Sequence, residues 1–420
     1  MRKAWAAALV AICAFAAGIP NEEYRARRQR VRSELGNAVL VLFGNTERDV
    51  AGLRHAFVQE PNFYYLTGWL EPGAILLLTP DAETLFLPPR DPAAERYTGR
   101  KTTPDDKNAT AATGFAKVLP AAQFEAQFQR ALQSRASVYT LPGTPGAEKL
   151  KSLAPLREFR DALAVLSRYR AVKSPREIEM IRRSVDATVE AHRAAWRRIA
   201  PGLYEYQVAA AMTFAMQDGG CERNAYAPIV ASGPNALVLH YSQNSRKMEA
   251  GELVLMDVGA ECSAYAADVT RTVPVSGRFT PRQRELYEAV LGAQKAVLAA
   301  VKPGVIMGAS RTAPNSLYKV AYDYLNEHGK NAGGKPLGKY LTHGVSHHVG
   351  LQVHDAPSAS YSQPLEAGMV ITVEPGIYIP EESIGIRIED TVLVTPDGAE
   401  VLSAALPKEP GEIEKAMAAR

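Results

Sequence analysis

The chain of 420 residues contains only three cysteines, Cys13, Cys221 and Cys262. None of them has CxxC spacing, which excludes a zinc site built from thiolates. If the first 17 residues are cleaved off as a signal peptide, as predicted below, only Cys221 and Cys262 remain. One disulfide between them is then possible in an oxidising compartment. Sequence does not show whether two cysteines are close in space, so we predict two unpaired, buried thiols.

Long apolar runs are also missing. The longest at the N-terminus, residues 4–17, is shorter than the roughly 20 residues that cross a membrane. Arg2 and Lys3 precede this run, and small residues follow around Ala14 and Ala16. This order predicts a signal peptide over residues 1–17 rather than the apolar terminus of a cytosolic protein. We expect a periplasmic or secreted protein without stable membrane insertion after cleavage, and a cytoplasmic one if the segment is retained.

Neither sign of charge dominates, since 48 Lys and Arg oppose 45 Asp and Glu, giving a formal charge of +3. No basic run stands out, so nucleic acid is not an expected partner. Apolar residues at 46% and charged residues at 22% are typical of a soluble globular protein. The length favours two domains over one.

Strands and helices alternate in the first part of the chain. Apolar runs predict strands at 38–43, 74–78, 83–87 and 137–141, and helices are predicted at 22–35 and 121–134. This order predicts a small α/β domain over residues 22–165. It shows no catalytic cluster, and its most distinctive stretch is the aromatic segment NFYYLTGWLEPGA, residues 62–74.

The rest of the chain repeats one plan. Ser174, followed by Pro175 and Glu177, predicts a capped helix start, and Thr280 begins a similar one. Each helix is interrupted by Pro-Gly, followed by another helix, and precedes a hairpin that carries two carboxylates. We therefore predict an α+β domain over residues 170–405 with an internal pseudo-twofold duplication. A terminal helical segment follows over residues 406–420.

Four carboxylates lie in or beside these apolar strands. Asp257 and Asp268 belong to the first hairpin, and Glu374 and Glu389 to the second. A carboxylate buried among apolar side chains costs several kcal/mol unless it is paired or bound to a metal. The cations nearby are chiefly Arg271 and Arg387, too few for four carboxylates. A metal site explains the pattern better than solvated or ion-paired carboxylates.

Six of the eight histidines lie in the second half of the chain, and five of them are candidates for the site. These five are His240, His343, His347, His348 and His354. A mixture of surface and core histidines is the alternative, but the cluster between two glycines favours one ligand and further hydrogen-bond donors to an oxyanion. Oxygen ligands with one imidazole point to Mn, Fe, Co or Zn. Four carboxylates suffice for two divalent ions about 3.5–4 Å apart, which would hold a nucleophilic hydroxide at neutral pH.

Several motifs carry a family resemblance. LMDVGAECSAYAADVTRT, HGVSHHVGLQVHD, ITVEPGIY and GIRIEDT, in this order, resemble the pita-bread metallopeptidases, which include methionine aminopeptidases, prolidases and aminopeptidase P. QEPNFYYLTGWLEPGA and IVASGPNALVLHYSQN are similar to aminopeptidase P in particular. The resemblance covers nearly all of the chain after the predicted signal and implies a pita-bread fold for the C-terminal domain.

The resemblance also implies roles for individual residues. The implied metal ligands are Asp257, Asp268, His347, Glu374 and Glu389. Asp268 and Glu389 would bridge two metals, and Glu374 would also act as general base. His240 would stabilise the tetrahedral intermediate or pass a proton to the leaving proline nitrogen. His343 and His354 would line the substrate pocket, Arg387 would orient the carboxylates, and His348 would have no role.

The implied activity is that of a metallo-aminopeptidase hydrolysing the N-terminal Xaa-Pro bond. Its substrates would be peptides with proline at the second position, whose tertiary amide and fixed ring require a dedicated site. Two Mn²⁺ ions are implied, with Zn²⁺, Co²⁺ or Fe²⁺ as alternatives, in a dimer or tetramer. One alternative is a prolidase, which cleaves only Xaa-Pro dipeptides. Another is a metal-free creatinase-like hydrolase or binding module, whose signature, the loss of ligands, is not seen in this sequence.

Overall fold

The structure is a computed structural model and describes residues 18–47 and 57–419. The predicted signal peptide, residues 1–17, lies outside the described residues. Within the described ranges, no helix combines the length and the apolar character needed to cross a membrane.

The N-terminal part contains a mixed sheet with helices on both faces. Its strands are β1 (Ala38–Phe43), β2 (Ile75–Leu78), β3 (Glu83–Leu87), β4 (Val118–Pro120), β5 (Ser137–Thr140) and β6 (Glu158–Asp161), in the spatial order β4-β3-β2-β1-β5-β6. The helices are α1 (Asn21–Glu34), α2 (Pro61–Thr67), α3 (Glu95–Thr98), α4 (Ala109–Thr113), α5 (Phe124–Leu132), α6 (Pro145–Leu153) and α7 (Leu163–Ala171). The predicted helix over 121–134 begins with a 3₁₀ turn, and its α-helical part is α5.

The period of two along β1 explains how both faces of the sheet are covered. Val39 and Val41 belong to the apolar cluster that contains Phe124 of α5. Leu40 belongs to the cluster on the opposite face, which contains Phe63 of α2. A strand that is apolar at every position needs a layer of helices on each side, and this confirms the predicted α/β organisation.

The C-terminal part is built from two helix pairs and several short sheets. Its helices are α8 (Pro175–Arg198), α9 (Glu205–Asp218), α10 (Pro281–Ala300), α11 (Leu317–His328) and α12 (Pro410–Ala418). Its strands are β7 (Arg223–Asn224), β8 (Ile229–Ser232), β9 (Leu253–Val258), β10 (Ala260–Cys262), β11 (Tyr265–Ala266), β12 (Val269–Pro274), β13 (Val370–Val373), β14 (Gly376–Ile379), β15 (Ile384–Arg387), β16 (Asp390–Val394) and β17 (Ala399–Val401). The predicted capping boxes at Ser174 and Thr280 are both present.

The two halves of this domain follow one plan, as the duplication predicts. In the first half, α8 and α9 accompany the sheet β12-β9-β8, and in the second α10 and α11 accompany β13-β16-β17. The halves meet along β12 and β15, where the Thr272 hydroxyl donates to the Arg387 carbonyl at 3.0 Å. The Glu389 amide donates to the Thr270 carbonyl at 3.0 Å. These contacts bring the two carboxylate-bearing hairpins side by side.

The prediction of two unpaired thiols is wrong. Cys221 and Cys262 form a disulfide, with their Cα atoms 4.4 Å apart. Cys221 follows α9 and Cys262 ends β10, and the neighbouring Glu222 amide donates to the Glu261 carbonyl at 3.1 Å. Pairing of β7 with β10 therefore brings together cysteines that are 41 positions apart in the sequence.

Candidate metal centre

Asp257 and Asp268 approach each other across one antiparallel strand pair. Asp257 lies in β9 opposite Thr270 of β12, and Asp268 immediately precedes β12. The hydroxyl of Tyr226 lies 2.5 Å from one oxygen of Asp257 and 2.5 Å from one oxygen of Asp268. Both carboxylates are buried. The first hairpin thus places two acidic groups at one point, as predicted.

Glu374 and Glu389 meet in the same way in the second hairpin. Glu374 directly follows β13 and Glu389 directly precedes β16, and these strands pair with Val373 opposite Asp390. Thr270 of the first hairpin donates its hydroxyl proton to Glu389 Oε2 at 2.6 Å. The carboxylates of the two hairpins therefore share one polar network.

His347 joins this network from a segment between the hairpins. Its backbone is fixed on β13, because its amide donates to Thr372 Oγ1 at 3.0 Å and its carbonyl accepts from the Thr372 amide at 2.9 Å. Its Nε2 atom lies 3.4 Å from Asp268 Oδ2 and 3.4 Å from Glu374 Oε1. Its Nδ1 atom lies 3.1 Å from the His348 carbonyl, to which Nδ1 donates a proton, and Nε2 faces the carboxylates.

The donor atoms fit a divalent cation. One ligand atom each from Asp268, His347 and Glu389 lie within 4.8 Å of one another. Asp257 is linked to this group by its hydrogen bond with Tyr226, and Glu374 is linked to it by its contact with His347. The five predicted ligands, drawn from three segments, are thus brought together. Hard oxygen donors with one imidazole suit Mn, Fe, Co or Zn.

The electrostatics of the cluster agree with this donor set. Burial, followed by the charge of Asp257, raises the pKa of Asp268 to about 6. Burial, followed by the charge of Asp268, also raises the pKa of Glu389 well above its usual range. Burial opposes protonation of His347, but its hydrogen bond to Asp268 and the charge of Glu374 raise its pKa to about 9. Buried carboxylates that repel one another this strongly provide the negative charge that a metal ion balances.

Arg387 donates hydrogen bonds at the cluster from all three of its guanidinium nitrogens. Its Nη2 atom donates to Asp257 Oδ2, its Nη1 atom to Tyr378 Oη at 2.6 Å and its Nε atom to Thr270 Oγ1 at 3.2 Å. Although burial opposes ionisation of Asp257, the charge of Arg387 lowers the pKa of that carboxyl. The guanidinium thus lies where the predicted orienting role requires it.

His343 also lines the cavity that contains the cluster and is linked to Arg387 through Tyr378. Its Nε2 atom lies 2.9 Å from Tyr378 Oη, which already accepts a proton from Arg387, so the tyrosine donates to His343. The Nδ1 proton then points to the Gly344 carbonyl at 2.6 Å. Burial lowers the pKa of His343, which makes the imidazole neutral with the proton on Nδ1.

The cluster lies in a cavity of about 440 Å³. His240 and His354 also line it, and the His354 ring packs edge-to-face on His347 with centroids 4.2 Å apart. Burial and the charge of His347 lower the pKa of His354. Apolar atoms come from Ile229, Leu239, Val353 and Tyr361. All predicted site residues therefore border one cavity, whereas His348 is buried outside the described lining residues.

Two tyrosines were missed by the sequence analysis. Tyr378 ends the quoted motif ITVEPGIY, so its position beside Glu374 was a usable signal. Tyr226 lies 31 positions before Asp257, and it reaches the aspartates only because β8 pairs with β9, with Ile229 opposite Asp257. No local pattern marks such a residue.

Comparison with known proteins agrees with this geometry. The family model described as metallopeptidase family M24 matches residues 179–396, and the model described as the aminopeptidase P N-terminal domain matches residues 24–139. The chain belongs to metallopeptidase family M24. Like other members of this family, it is a hydrolase, and it has the pita-bread catalytic domain together with an aminopeptidase P N-terminal domain.

Named relatives resemble this M24 peptidase over nearly their whole length. A Xaa-Pro aminopeptidase of Haemophilus influenzae is 36% identical, and the match covers 96% of this chain and 99% of the relative. The structure of aminopeptidase PepP of Pseudomonas aeruginosa matches with a TM-score of 0.85 at 31% identity, covering 96% of this chain and 99% of that one. Aminopeptidase P from E. coli, solved with the inhibitor Pro-Leu, matches with a TM-score of 0.84 at 30% identity and the same coverage.

Proposed function

We propose that the protein is a metallo-aminopeptidase that hydrolyses the bond between an N-terminal residue and a following proline. The observation that carries the proposal is the convergence of five metal-ligand side chains and three further histidines on one cavity of about 440 Å³. Xaa-Pro specificity is supported by the match of the N-terminal domain to that of aminopeptidase P and by relatives named Xaa-Pro aminopeptidase.

We propose that Asp257, Asp268, His347, Glu374 and Glu389 hold two divalent ions, with Mn²⁺ as the native metal. When bound, such ions supply Lewis acidity and activate a water for attack at neutral pH. Glu374 is suited to take the proton of that water, because it is only half-buried and borders the cavity.

The other lining residues act on the substrate. The Nε2 atom of neutral His343 accepts a hydrogen bond from the hydroxyl of Tyr378. It can accept a hydrogen bond from the substrate only if that bond breaks, so we propose that His343 shapes the wall of the cavity. His240 and His354 face the cavity from its exposed rim and are placed to donate to the scissile carbonyl or to the departing proline nitrogen. Ile229, Leu239 and Val353 offer apolar contact to a proline ring, which has no N–H to satisfy.

A substrate panel tests this proposal. The purified protein is assayed with Xaa-Pro dipeptides, with Xaa-Pro-Yaa-Zaa peptides and with matched peptides that carry alanine at the second position. Each assay is run after exhaustive chelation and after addition of defined amounts of Mn²⁺, Zn²⁺, Co²⁺ or Fe²⁺. We expect metal-dependent release of the first residue from the tetrapeptides. Cleavage of dipeptides alone would identify a prolidase instead, and activity that survives chelation would contradict the metal mechanism.

We also propose an extracytoplasmic location. The disulfide between Cys221 and Cys262 supports it, because structural disulfides persist mainly in oxidising compartments. Cell fractionation and N-terminal sequencing of the native protein test this, and we expect a mature chain that lacks residues 1–17. An intact N-terminus on a cytoplasmic protein would contradict it. Light scattering tests the proposed dimer or tetramer in the same preparation.

A further inference from the structure

His240 lines the cavity that contains the candidate metal ligands, but its ring has no hydrogen-bond partner among the described residues. Its side chain is exposed. The place of the imidazole is therefore set by the backbone of the segment that carries it, residues 232–246, which leaves β8 and returns before β9.

A single buried carboxylate accepts hydrogen bonds from several residues of this segment. Glu205, the first residue of α9, is fully buried. Its Oε1 atom accepts from the Ser232 amide at 2.7 Å, the Ser232 hydroxyl at 2.8 Å and Asn235 Nδ2 at 3.1 Å. Its Oε2 atom accepts from Tyr241 Oη at 2.9 Å and the Arg246 amide at 2.8 Å. All of these donors belong to the segment, on both sides of His240.

The arrangement closes the segment like an Ω-loop. Ser232 at its start and Arg246 at its end bind the same carboxylate, and the Glu205 amide donates back to the Arg246 carbonyl at 3.0 Å. Tyr241, the immediate neighbour of His240, is buried with its hydroxyl on Glu205. Hydrogen bonds to an ionised acceptor are about twice as strong as neutral ones, and the N-terminus of α9 favours the negative charge.

We propose that Glu205 is a positioning residue that acts through His240, because it holds the imidazole in the place where it contacts the substrate. The role assigned to His240 rests on the proposed function. Glu205 itself is not among the residues that line the cavity, so it does not touch substrate. Its effect on catalysis must pass through the loop.

The test is a double-mutant cycle on the metal-loaded enzyme with an Xaa-Pro tetrapeptide. Glutamine keeps the volume of Glu205, but its amide group turns an N–H toward donors that need an acceptor. We expect Glu205→Gln to lower kcat/KM on the order of 10- to 100-fold, as small misplacements of catalytic groups do. In the His240→Ala background the same change should alter kcat/KM by less than about twofold, since coupled residues are not additive. Equal effects in both backgrounds would overturn the proposal.

A matched control separates positioning from loss of stability. Glu177 is also a buried carboxylate in the first turn of a helix, α8, and accepts from the Ser174 amide at 3.0 Å and from Tyr265 Oη at 3.0 Å. Glu177 also pairs with buried Arg27 at 3.3 Å, so we expect Glu177→Gln to lower the melting temperature at least as much as Glu205→Gln, while kcat/KM stays within about twofold of the original. Metal content should be unchanged in both variants. An equal loss of kcat/KM in Glu177→Gln would show that Glu205 has only a structural role.

Hydrogen–deuterium exchange gives a second measurement that does not depend on activity. In Glu205→Gln we expect faster exchange over residues 232–246, with β9 and β13 unchanged. Unchanged exchange in the segment would overturn the proposal even if activity fell. If the original protein fails to cleave any Xaa-Pro peptide, the proposed function fails, whereas the exchange experiment still shows whether Glu205 holds the His240 segment.

Discussion

The hydroxyl of Tyr226 lies between two carboxylates, 2.5 Å from an oxygen of each of Asp257 and Asp268. One O–H can donate to only one of these carboxylates at a time, so only one of the two short contacts is a hydrogen bond from the tyrosine at any moment. Burial, followed by the charges of both aspartates, raises the pKa of Tyr226 far above its usual range, and the hydroxyl therefore stays protonated. It fixes the spacing of two predicted ligands.

Loss of this hydroxyl should weaken the metal site without unfolding the protein. We expect Tyr226→Phe to lower metal affinity about 10- to 100-fold, the usual cost of removing a group that orients a ligand. Titration of the chelated protein with Mn²⁺, followed by calorimetry, measures this. Tyr340→Phe removes another tyrosine hydroxyl, which does not line the cavity and is bonded to Asn331 and Glu381, and it should leave the affinity unchanged. Equal affinity in Tyr226→Phe and the original protein would contradict the prediction.

Removal of a ligand itself should be more severe. We expect Asp268→Ala or Glu374→Ala to abolish hydrolysis, because each removes a proposed metal ligand and Glu374→Ala also removes the proposed general base. Both variants should remain folded, since burial and the charge of Asp257 disfavour ionised Asp268, and Glu374 is only half-buried. Peptide assays combined with circular dichroism check this. Turnover by a folded variant of either residue would count against the assignment.

His192 predicts a pH dependence of stability. Burial, followed by the charge of Arg271, lowers its pKa from 6.5 to about 3. Between these values the unfolded chain binds a proton that the folded protein does not, so stability is lost as pH falls from 6.5 toward 3. The loss is at most about 1.4 kcal/mol per pH unit for this one group.

Urea denaturation at several pH values measures that slope. His192→Gln keeps a donor for the Val269 carbonyl, which His192 Nε2 contacts at 3.0 Å, and should reduce the slope. His328→Gln changes an exposed histidine and should leave it as it was. A His192→Gln protein with the original slope would show that other groups carry the dependence.

At the scale of elements, the helix starts and the two carboxylate hairpins were predictable, whereas the pairing of strands outside those hairpins was not. Ser174 and Thr280, each followed by proline and a side chain that caps in return, define the starts of α8 and α10 within the sequence itself. The pairing of β7 with β10 depends on where α9 ends and how the chain turns afterwards. The disulfide follows from that pairing, which explains why the thiols were predicted to be free.

The disulfide should contribute measurably to stability. It joins the end of α9 to β10 and closes a loop with a sequence separation of 41. The chain-entropy estimate for such a loop is about 4 kcal/mol. We expect the double variant Cys221→Ser, Cys262→Ser to lose about 2–4 kcal/mol of unfolding free energy in denaturant titrations. The original protein under reducing conditions is the control and should lose a similar amount. A stable double variant would mean that the pairing of β7 with β10 suffices alone.

In the whole molecule, a buried ion cluster connects the two domains near the cavity. Arg170 of α7 donates to Asn62 Oδ1 of α2 at 2.7 Å and forms an ion pair with Asp355, the neighbour of His354. Lys173 lies 3.2 Å from the other oxygen of Asp355. The aromatic segment 62–74, which showed no catalytic residues, thus supports a loop that reaches the cavity.

Breaking this cluster should destabilise the fold. Asp355→Asn leaves two buried cations without their counter-charge and should cost about 3–5 kcal/mol of unfolding free energy. Asp323→Asn disrupts the exposed pair with Lys319 and should cost less than about 1 kcal/mol. Thermal and urea unfolding compare the two. If Asp355→Asn costs no more than Asp323→Asn, the cluster does not hold the domains together.

The sequence by itself predicted the periodic elements, the two capped helix starts, the two carboxylate hairpins and the four acidic candidate ligands, because each depends on residues close to one another in the chain. The choice of His347 as the fifth candidate ligand came from the family resemblance. Only the tertiary structure decided the disulfide, the place of Tyr226 between Asp257 and Asp268, and the role of Glu205 in gathering residues 232–246. These contacts join segments whose separation in sequence carries no signal. Their geometry results from packing of strands and helices that individually have many partners to choose from.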